Sequence, residues 1–210
     1  MAVRLKICGV CTAVDYALCT RLGVDSIGLN LWPGSKRFLA DADAAALPPA
    51  SRDVERVGVF VDAAPEHIIA RARALSLDLI QPHGDRPAFA YARLGIPYTW
   101  VIRGTPELDA LEAAPAQRPT RILLDAAVDG FGGAGRRTDW AWARRARDRL
   151  SAIAPVWLAG GLNPENAAEA IATVGPAGID VATGAERDGA RRGEKDPARV
   201  SALLELCRRA

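Results

Sequence analysis

Residues 156–166 read Val-Trp-Leu-Ala-Gly-Gly-Leu-Asn-Pro-Glu-Asn, an apolar run followed by two glycines and an Asn-Pro pair. The first three residues predict a short buried strand, and Gly160-Gly161 lets the backbone turn tightly. Asn163 suits the N-cap of a following helix, and Pro164 suits its first position. Backbone N–H groups and the helix dipole favour anions at such a terminus. These residues predict either a phosphate-binding turn or a plain connection, and by themselves they leave both open.

The same order of strand and helix recurs along the chain. Helix-like segments rich in Ala, Leu and Arg include residues 12–22, 65–75, 139–150, 163–174 and 197–209. Short runs rich in Val, Ile and Leu alternate with them, centred near Leu5, Ile27, Val57, Leu79, Thr99, Ile122, Val156 and Ile179. Strand then helix, eight times over, predicts a parallel sheet with crossover helices.

Two α/β architectures fit this repeat, a closed (β/α)8 TIM barrel and a doubly wound open sheet. A chain of 210 residues divided over eight units gives about 26 residues per unit, near the lower end for the barrel. The first strand begins almost at residue 1 and the last helix ends the chain, with no linker between units. We therefore predict a single (β/α)8 barrel domain over residues 1–210, with the open sheet as the alternative.

Composition narrows the class of protein. Half of the residues are hydrophobic, enough for a sizeable core, and the formal net charge is only +2. This balance gives no reason to expect nucleic acid or a membrane as a partner. Four cysteines without a signal peptide or an apolar run near twenty residues indicate a reducing compartment. We expect a cytoplasmic enzyme or binding protein.

In such a barrel, chemistry is assembled at the carboxyl ends of the strands. Cys8 ends the first strand and Asp125 the sixth, so a thiol and a carboxyl group across one mouth could act as base and acid. Lys6 shares a strand face with Cys8, and its ammonium would help to ionise the thiol. The alternative for Cys8 is a small buried apolar side chain, which is the usual role of a free cysteine and which spacing alone favours.

Two further candidates follow the second and fourth strands. Arg37 could hold a carboxylate through two parallel hydrogen bonds, a geometry that lysine cannot copy, or it could be a loop arginine in solvent. His83 could donate to a ligand or could fix its own loop. The residues alone do not choose between these alternatives.

Other motifs indicate other chemistry. The pair Cys8 and Cys11 forms a C-x-x-C between a strand and a helix, as in thioredoxin-like redox proteins, but the repeat extends well beyond one such unit. A zinc site would have to recruit His67 and His83 from distant elements. Residues 130–135 match G-x-G-x-x-G without directly following a strand, so we interpret them as a lid or a surface loop within the irregular stretch 126–138.

Eight short motifs occur in one order between about residues 4 and 196. They are Lys-Ile-Cys-Gly at 6–9, residues 28–33 with Ser-Lys-Arg at 35–37, Val-Gly-Val-Phe-Val at 57–61, Gln-Pro-His-Gly at 81–84, Leu-Leu-Asp at 123–125, Gly-Gly-Ala-Gly at 132–135 with Asp-Trp at 139–140, and residues 158–166 and 178–184. This ordered set resembles the phosphoribosylanthranilate isomerase family.

The resemblance implies a βα barrel of tryptophan biosynthesis that needs neither cofactor nor metal. Its substrate would be a small phosphorylated molecule, N-(5-phosphoribosyl)anthranilate, converted to 1-(2-carboxyphenylamino)-1-deoxyribulose 5-phosphate by an Amadori rearrangement. Cys8 would be the general base and Asp125 the general acid, in a monomer or homodimer. The substrate-binding residues implied are Arg37 for the carboxylate, His83, Asp180 near the sugar hydroxyls, and the backbone amides of Gly161, Thr183 and Gly184 for the phosphate.

The chain departs from the family pattern at four places. Asn30-Leu31-Trp32 replaces an aromatic-rich segment, Pro82 replaces a leucine, Ala134 replaces a threonine, and Ala182-Thr183 replaces a Ser-Ser pair. The first departure would lie near the aromatic ring of the substrate and the last beside its phosphate. Two alternatives therefore stay open: a paralogous barrel isomerase acting on another phosphorylated amino sugar, and a non-catalytic barrel that binds a phosphorylated ligand.

Overall fold

A computed structural model describes residues 2–86, 89–111, 118–126, 137–189 and 193–210. Within these ranges the chain forms eight strands, all paired in parallel. They are β1 (Arg4–Cys8), β2 (Ser26–Asn30), β3 (Glu55–Phe60), β4 (Leu79–Pro82), β5 (Thr99–Arg103), β6 (Arg121–Asp125), β7 (Val156–Leu158) and β8 (Gly178–Val181). Each predicted strand centre lies within one of them, because short apolar runs suit strands that are buried on both faces.

The sheet closes into a barrel. Its order is β4-β3-β2-β1-β8-β7-β6-β5, so β4 and β5 are the two ends of the continuous ladder. These ends meet through a parallel bridge between Ile80 and Tyr98, and the N–H of Ile80 donates to the carbonyl of Pro97 at 2.9 Å. The predicted (β/α)8 barrel is thus confirmed, and the doubly wound open sheet is excluded.

The helices differ more from the expected pattern than the strands do. Between β5 and β6 the described residues contain a 3₁₀ turn at Leu108–Ala110 instead of an α-helix, while residues 112–117 lie outside the described part. Among the described residues, an α-helix follows seven of the eight strands. The α-helices are α1 (Ala13–Leu22), α2 (Asp41–Ala45), α3 (Pro65–Ala74), α4 (Phe89–Ala92), α5 (Trp140–Leu150), α6 (Ala167–Val174) and α7 (Pro197–Arg209).

Polar caps fix where several helices begin. The side chain of Thr12 accepts from the N–H of Asp15 at the start of α1, and Asp139 accepts from Trp142 at the start of α5. Asp196 accepts from two N–H groups at the start of α7, directly before Pro197. These contacts agree with the predicted beginnings of the three helices to within a residue.

The predicted start of α6 is wrong. Asn163 precedes a turn that begins at Pro164, and the helix begins only at Ala167 with Asn166 as its N-cap. Asn163 Oδ1 accepts from the N–H of Asn166 at 3.0 Å, so the side chain makes a capping-type bond within this turn. The helix terminus therefore lies farther from the glycines than the sequence suggested.

Side chains fill the amino end of the barrel. Arg121 pairs with the carboxylate of Glu55, and its guanidinium lies 4.2 Å from the ring centre of Trp157. Ser26 donates to the same carboxylate at 2.8 Å. The cavity described below lies at the opposite, carboxyl end. Among the described residues, no helix combines the length and apolar composition needed to cross a membrane.

Candidate active site

A cavity of about 300 Å³ lies at the carboxyl ends of the strands. Ligand pockets of this kind are the expected position for chemistry in a (β/α)8 barrel. Strand alternation explains why side chains two residues apart, such as Gln81 and His83, both line it. All eight residues singled out from the sequence contribute to its wall: Cys8, Arg37, His83, Asp125, Gly161, Asp180, Thr183 and Gly184.

Cys8 lies beside a buried ion pair. The ammonium of Lys6 is 2.6 Å from Asp180 Oδ2, and both side chains are almost fully buried. Burial lowers the pKa of Lys6, but the charges of Asp180 and Cys8 outweigh it, so the net shift is upward and the lysine stays charged. The sequence placed Lys6 next to Cys8 correctly.

Burial has a larger effect on the pKa of Cys8 than the Lys6 ammonium, which lowers it. Burial raises the pKa of Cys8, the positive charges of Lys6 and Lys195 lower it, and the carboxylate of Asp180 raises it again. The net result is a pKa above the ordinary value of a cysteine. Lys6 therefore opposes the effect of burial on the pKa of Cys8, as the sequence suggested, but does not reverse it.

Asp125 and His83 form the second pair of the site. Asp125 Oδ2 lies 3.2 Å from Nε2 of His83, and its other oxygen accepts from the N–H of Ala126 at 2.8 Å. Within the described part of the chain, Nδ1 of His83 is buried without a hydrogen-bond partner. His83 thus contacts the carboxyl group that was predicted to be the acid. This contact was not among the two roles considered for His83, which were donation to a ligand and fixing of its own loop.

Arg37 is buried and already engaged by protein groups. Its Nε and Nη2 bind the two carboxylate oxygens of Glu186, and Nη2 also donates to Thr183 Oγ1 at 2.9 Å. The edge of the guanidinium formed by Nε and Nη2 therefore holds Glu186, and the alternative of a loop arginine in solvent is wrong because the side chain is buried. The described contacts of Arg37 use Nε and Nη2, and its role in holding a ligand carboxylate stays a prediction.

Two turns form the remaining wall. Gly160 and Gly161 have φ values of 88° and 65°, which glycine adopts without strain. Thr183 and Gly184 begin a 3₁₀ turn after β8, so their backbone N–H groups lie at the start of a turn. A Cβ on Gly184 would overlap the carbonyl of Leu162, so this glycine is needed for the two turns to pack together.

The anion argument made from the sequence needs a change of position. Since α6 begins at Ala167, its N-terminus does not coincide with Gly161. The turn amides of Gly161, Thr183 and Gly184 are instead the backbone groups at the cavity wall. Their role in binding phosphate stays a prediction.

Sequence reasoning missed Glu186 and Lys195. Glu186 follows directly on the 3₁₀ turn, and Lys195 is one of only three lysines in an arginine-rich chain. Both are buried, at 6 % and 1 % exposure. Their burial distinguishes them, because a charged residue in a loop is usually exposed to solvent. No sequence motif indicates this burial.

The redox and zinc alternatives gain no support. Cys8 and Cys11 form no disulfide, and Cys11 is buried whereas Cys8 is partly accessible from the cavity. His67 lies on α3, with its ring packed edge-on against Phe60. Within the described ranges, no three His, Cys, Asp or Glu side chains are grouped as a metal site would require. The motif at residues 130–135 lies outside the described residues.

Comparison with known proteins identifies the family. Residues 5–205 match the family model described as N-(5'phosphoribosyl)anthranilate (PRA) isomerase. An N-(5'-phosphoribosyl)anthranilate isomerase of Myxococcus xanthus is 37% identical over 212 residues, covering 99% of this chain and 97% of that protein.

Solved structures give the same result. A phosphoribosyl anthranilate isomerase of Thermus thermophilus superposes with a TM-score of 0.81 at 30% identity, covering 97% of this chain and 98% of that one. A second isomerase, solved with reduced 1-(o-carboxyphenylamino)-1-deoxyribulose 5-phosphate, has a TM-score of 0.78 at 30% identity and covers 99% of this chain and all of its own. The chain therefore belongs to the phosphoribosylanthranilate isomerase family.

Proposed function

We propose that this protein converts N-(5-phosphoribosyl)anthranilate to 1-(2-carboxyphenylamino)-1-deoxyribulose 5-phosphate, the Amadori rearrangement of tryptophan biosynthesis. Family membership supports the reaction. The observation that carries the assignment of roles is that a thiol, Cys8, and a carboxyl group, Asp125, line one cavity. The rearrangement needs one group that gives a proton and one that takes a proton, and these two residues provide such a pair.

Asp125 acts first, as the general acid. It gives its proton to the furanose ring oxygen, the bond from that oxygen to C1 breaks, and the nitrogen lone pair forms a protonated Schiff base with C1. Asp125 is left as a carboxylate, 3.2 Å from His83 Nε2. An N–H at that nitrogen would donate to the new charge, which favours ring opening.

Cys8 then acts as the general base. Its thiolate takes the proton from C2, and the bonding electrons neutralise the Schiff base to give an enolamine. Tautomerisation, with a proton added at C1 and one lost from the C2 hydroxyl, yields the ketose. Asp180 supports this step: Lys6 binds its Oδ2, while Oδ1 is buried without a partner among the described residues and could accept from a sugar hydroxyl.

The two charged ends of the substrate find matching groups. The amides of Gly161, Thr183 and Gly184 would bind the phosphate, because backbone N–H groups at a turn favour anions. Arg37 would bind the anthranilate carboxylate through the part of its guanidinium that Glu186 leaves to a ligand. Both steps are proton transfers, so the proposed chemistry calls for no cofactor.

Loss of anthranilate-ribosyl fluorescence tests the function. Freshly generated phosphoribosylanthranilate is mixed with the wild type, Cys8→Ala and Asp125→Asn. We expect turnover by the wild type and a loss of roughly 10²–10⁴ in each variant. Absence of turnover by folded wild-type protein would overturn the substrate and favour an isomerase for another phosphorylated amino sugar. Wild-type turnover that both variants retain would overturn the two roles.

Three broader features are part of the same proposal. We expect one catalytic domain, a monomer or homodimer, and a cytoplasmic location. Light scattering at several protein concentrations checks the oligomeric state, and a single cooperative unfolding transition is expected of one domain.

A further inference from the structure

The chain after β8 turns back on itself and brings two missed residues together. Glu186 and Lys195 form an antiparallel bridge, and the N–H of Arg187 donates to the carbonyl of Glu194 at 2.9 Å. The N–H of Asp196 donates to the carbonyl of Ala185, also at 2.9 Å, which anchors the returning arm to the 3₁₀ turn. A carboxylate and an ammonium therefore lie side by side, and the carboxylate contacts Arg37 of the cavity wall.

Lys195 is a fully buried lysine, and among the described residues its ammonium has one ion-pair partner, Glu186. Its Nζ lies 3.4 Å from Glu186 Oε1, which is long for a charge-assisted bond, and its backbone N–H donates to Asp15 at 3.2 Å. Burial lowers the pKa of Lys195, and the charges of Glu186 and Cys8 only partly oppose this. Burying an ammonium is costly, so a lysine kept in this position requires an explanation.

Glu186 cannot balance the surrounding charge alone. Its carboxylate contacts Arg37, Lys195 and the more exposed Lys36, whose Nζ is 3.7 Å away. Counted over the described residues, the three cations that contact Glu186 carry two more charges than its single carboxylate. The same cations outweigh burial and hold the pKa of Glu186 below its ordinary value, so this carboxyl group stays ionised. An excess of positive charge behind Arg37 favours additional anions at this side of the cavity.

Arg37 is confined by the same group of residues. A Cβ on Gly9 would overlap Arg37 Cδ, and one on Gly193 would lie 3.0 Å from Cγ and 2.8 Å from Glu186 Oε1. The stem of Arg37 thus passes between two glycine backbones, next to Cys8. The position of its guanidinium then depends on Glu186, and the position of Glu186 depends on Lys195.

The charges that face Cys8 come from three elements. Lys6 lies on β1 and Asp180 on β8, and these two neutralise each other at 2.6 Å. Lys195 comes from the arm that returns after β8, and the one carboxylate that pairs with its ammonium among the described residues, Glu186, is shared with Arg37. The unmatched positive charge acting on Cys8 therefore belongs to Lys195.

We propose that Lys195 is a positioning residue of the active site: its buried ammonium fixes Glu186 against Arg37 and supplies the positive charge that favours the thiolate of Cys8. This inference rests on the proposed function, which assigns Cys8 as the base and Arg37 to the substrate carboxylate. Lys195 itself acts through Glu186 and Cys8 and is not proposed to exchange a proton with the substrate.

The first test needs no turnover. The rate of alkylation by iodoacetamide is measured against pH in ligand-free protein, with Cys8→Ala as the blank, because Cys11, Cys19 and Cys207 are buried. Lys195→Met should alkylate about tenfold more slowly at pH 7, with the midpoint about one pH unit higher. Lys195→Arg, which keeps the charge, should restore most of the rate, and Lys195→Gln provides a second neutral variant if the methionine protein does not fold.

Steady-state kinetics form the second test. Lys195→Met should raise KM about tenfold and shift the alkaline rise of kcat/KM upward, whereas Lys195→Arg should reverse much of both. Arg121→Met is the matched control, because it also removes a buried cation paired with a glutamate, at the other end of the barrel. Arg121→Met should lower the stability of the protein and leave KM and the pH midpoint of Cys8 alkylation unchanged.

The outcomes separate the two proposals. A folded Lys195→Met or Lys195→Gln protein with wild-type midpoint and KM would overturn the role of Lys195. If Lys195→Met and Arg121→Met changed the alkylation midpoint and KM equally, Lys195 would contribute only to packing, and the positioning role would be overturned as well. Wild-type protein that alkylates at Cys8 but turns nothing over would instead overturn the proposed function, while the alkylation profile still decides about Lys195.

Discussion

The imidazole Nε2 of His83 lies 3.2 Å from Oδ2 of Asp125 at the mouth of the barrel. The two residues follow or end β4 and β6, which are separated by β5 in the closed sheet. Alternate strands of a (β/α)8 barrel contribute side chains to the same interior layer, so such a meeting is a consequence of closure. It joins a histidine of undecided role to the carboxyl group assigned as the acid.

Replacement of His83 tests this relationship. His83→Ala should lower kcat roughly 10- to 100-fold, because a hydrogen bond to a charged group contributes about 1.5–3 kcal/mol. His83→Gln, which keeps an amide N–H, should lose less. The matched control is His67→Ala, since His67 is the only other histidine and is exposed on α3. An unchanged kcat in His83→Ala would show that the contact has no part in catalysis.

The pH dependence of the reaction should report the thiol of Cys8. Burial raises its pKa above the ordinary value, so only a fraction is thiolate near neutral pH. We expect kcat/KM to rise with pH through and above neutrality, because the active base is the deprotonated form. Initial rates measure this pH dependence between roughly pH 6 and pH 9.5, the range in which a thiol titrates. A flat profile would contradict Cys8 as the base.

Gly28 on β2 leaves the space in which Cys8 lies. A Cβ at this position would be 2.8 Å from the Cys8 sulfur and 3.0 Å from Lys6 Nζ. Gly28→Ala should therefore displace the base and lower kcat by about tenfold or more, since small errors in position are costly in catalysis. Gly58→Ala on β3 is the control, because its Cβ would overlap Leu77 in the core and should cost stability instead of kcat. Equal kcat in the two variants would refute the argument.

Arg37→Lys distinguishes a guanidinium from a simple positive charge. Arg37 binds Glu186 through two nitrogens and Thr183 through one of them, and lysine cannot reproduce this arrangement. We expect KM to rise about tenfold or more with a smaller change in kcat, because ground-state binding of the carboxylate is lost. Retention of the wild-type KM would mean that the substrate carboxylate binds elsewhere.

Two structural cysteines should make the fold sensitive to alkali. Burial raises the pKa of Cys19 and of Cys207 from 9.0 to about 12. Both thiols stay neutral when folded but ionise above about pH 9 when unfolded, so stability is complete below that pH and is lost as pH rises towards 12. Each should cost roughly 1 kcal/mol at pH 10. Denaturant titrations at pH 8 and pH 10 measure the difference, and equal unfolding free energies would contradict it.

The sequence predicts best those features that depend on residues close together in the chain. The runs around Ile27 and Ile122 are apolar enough to predict strands without any knowledge of their partners. The start of α6 was misplaced, because Asn163 and Pro164 suit a turn as well as a helix terminus. Cys8 and Asp125 were predicted from their positions at strand ends and from the family motifs; both line the cavity, and their catalytic roles stay predictions.

The sequence by itself determined the alternation of strands and helices and the residues at the strand ends, because hydrophobic periodicity and helix caps act between near neighbours in the chain. Only the tertiary structure decided that Arg37 is held by Glu186, that Lys195 is buried beside them, and that Cys8 has a raised pKa. Arg37 and Glu186 are 149 positions apart. Burial and charge depend on what closure of the barrel brings together, and no local pattern records that.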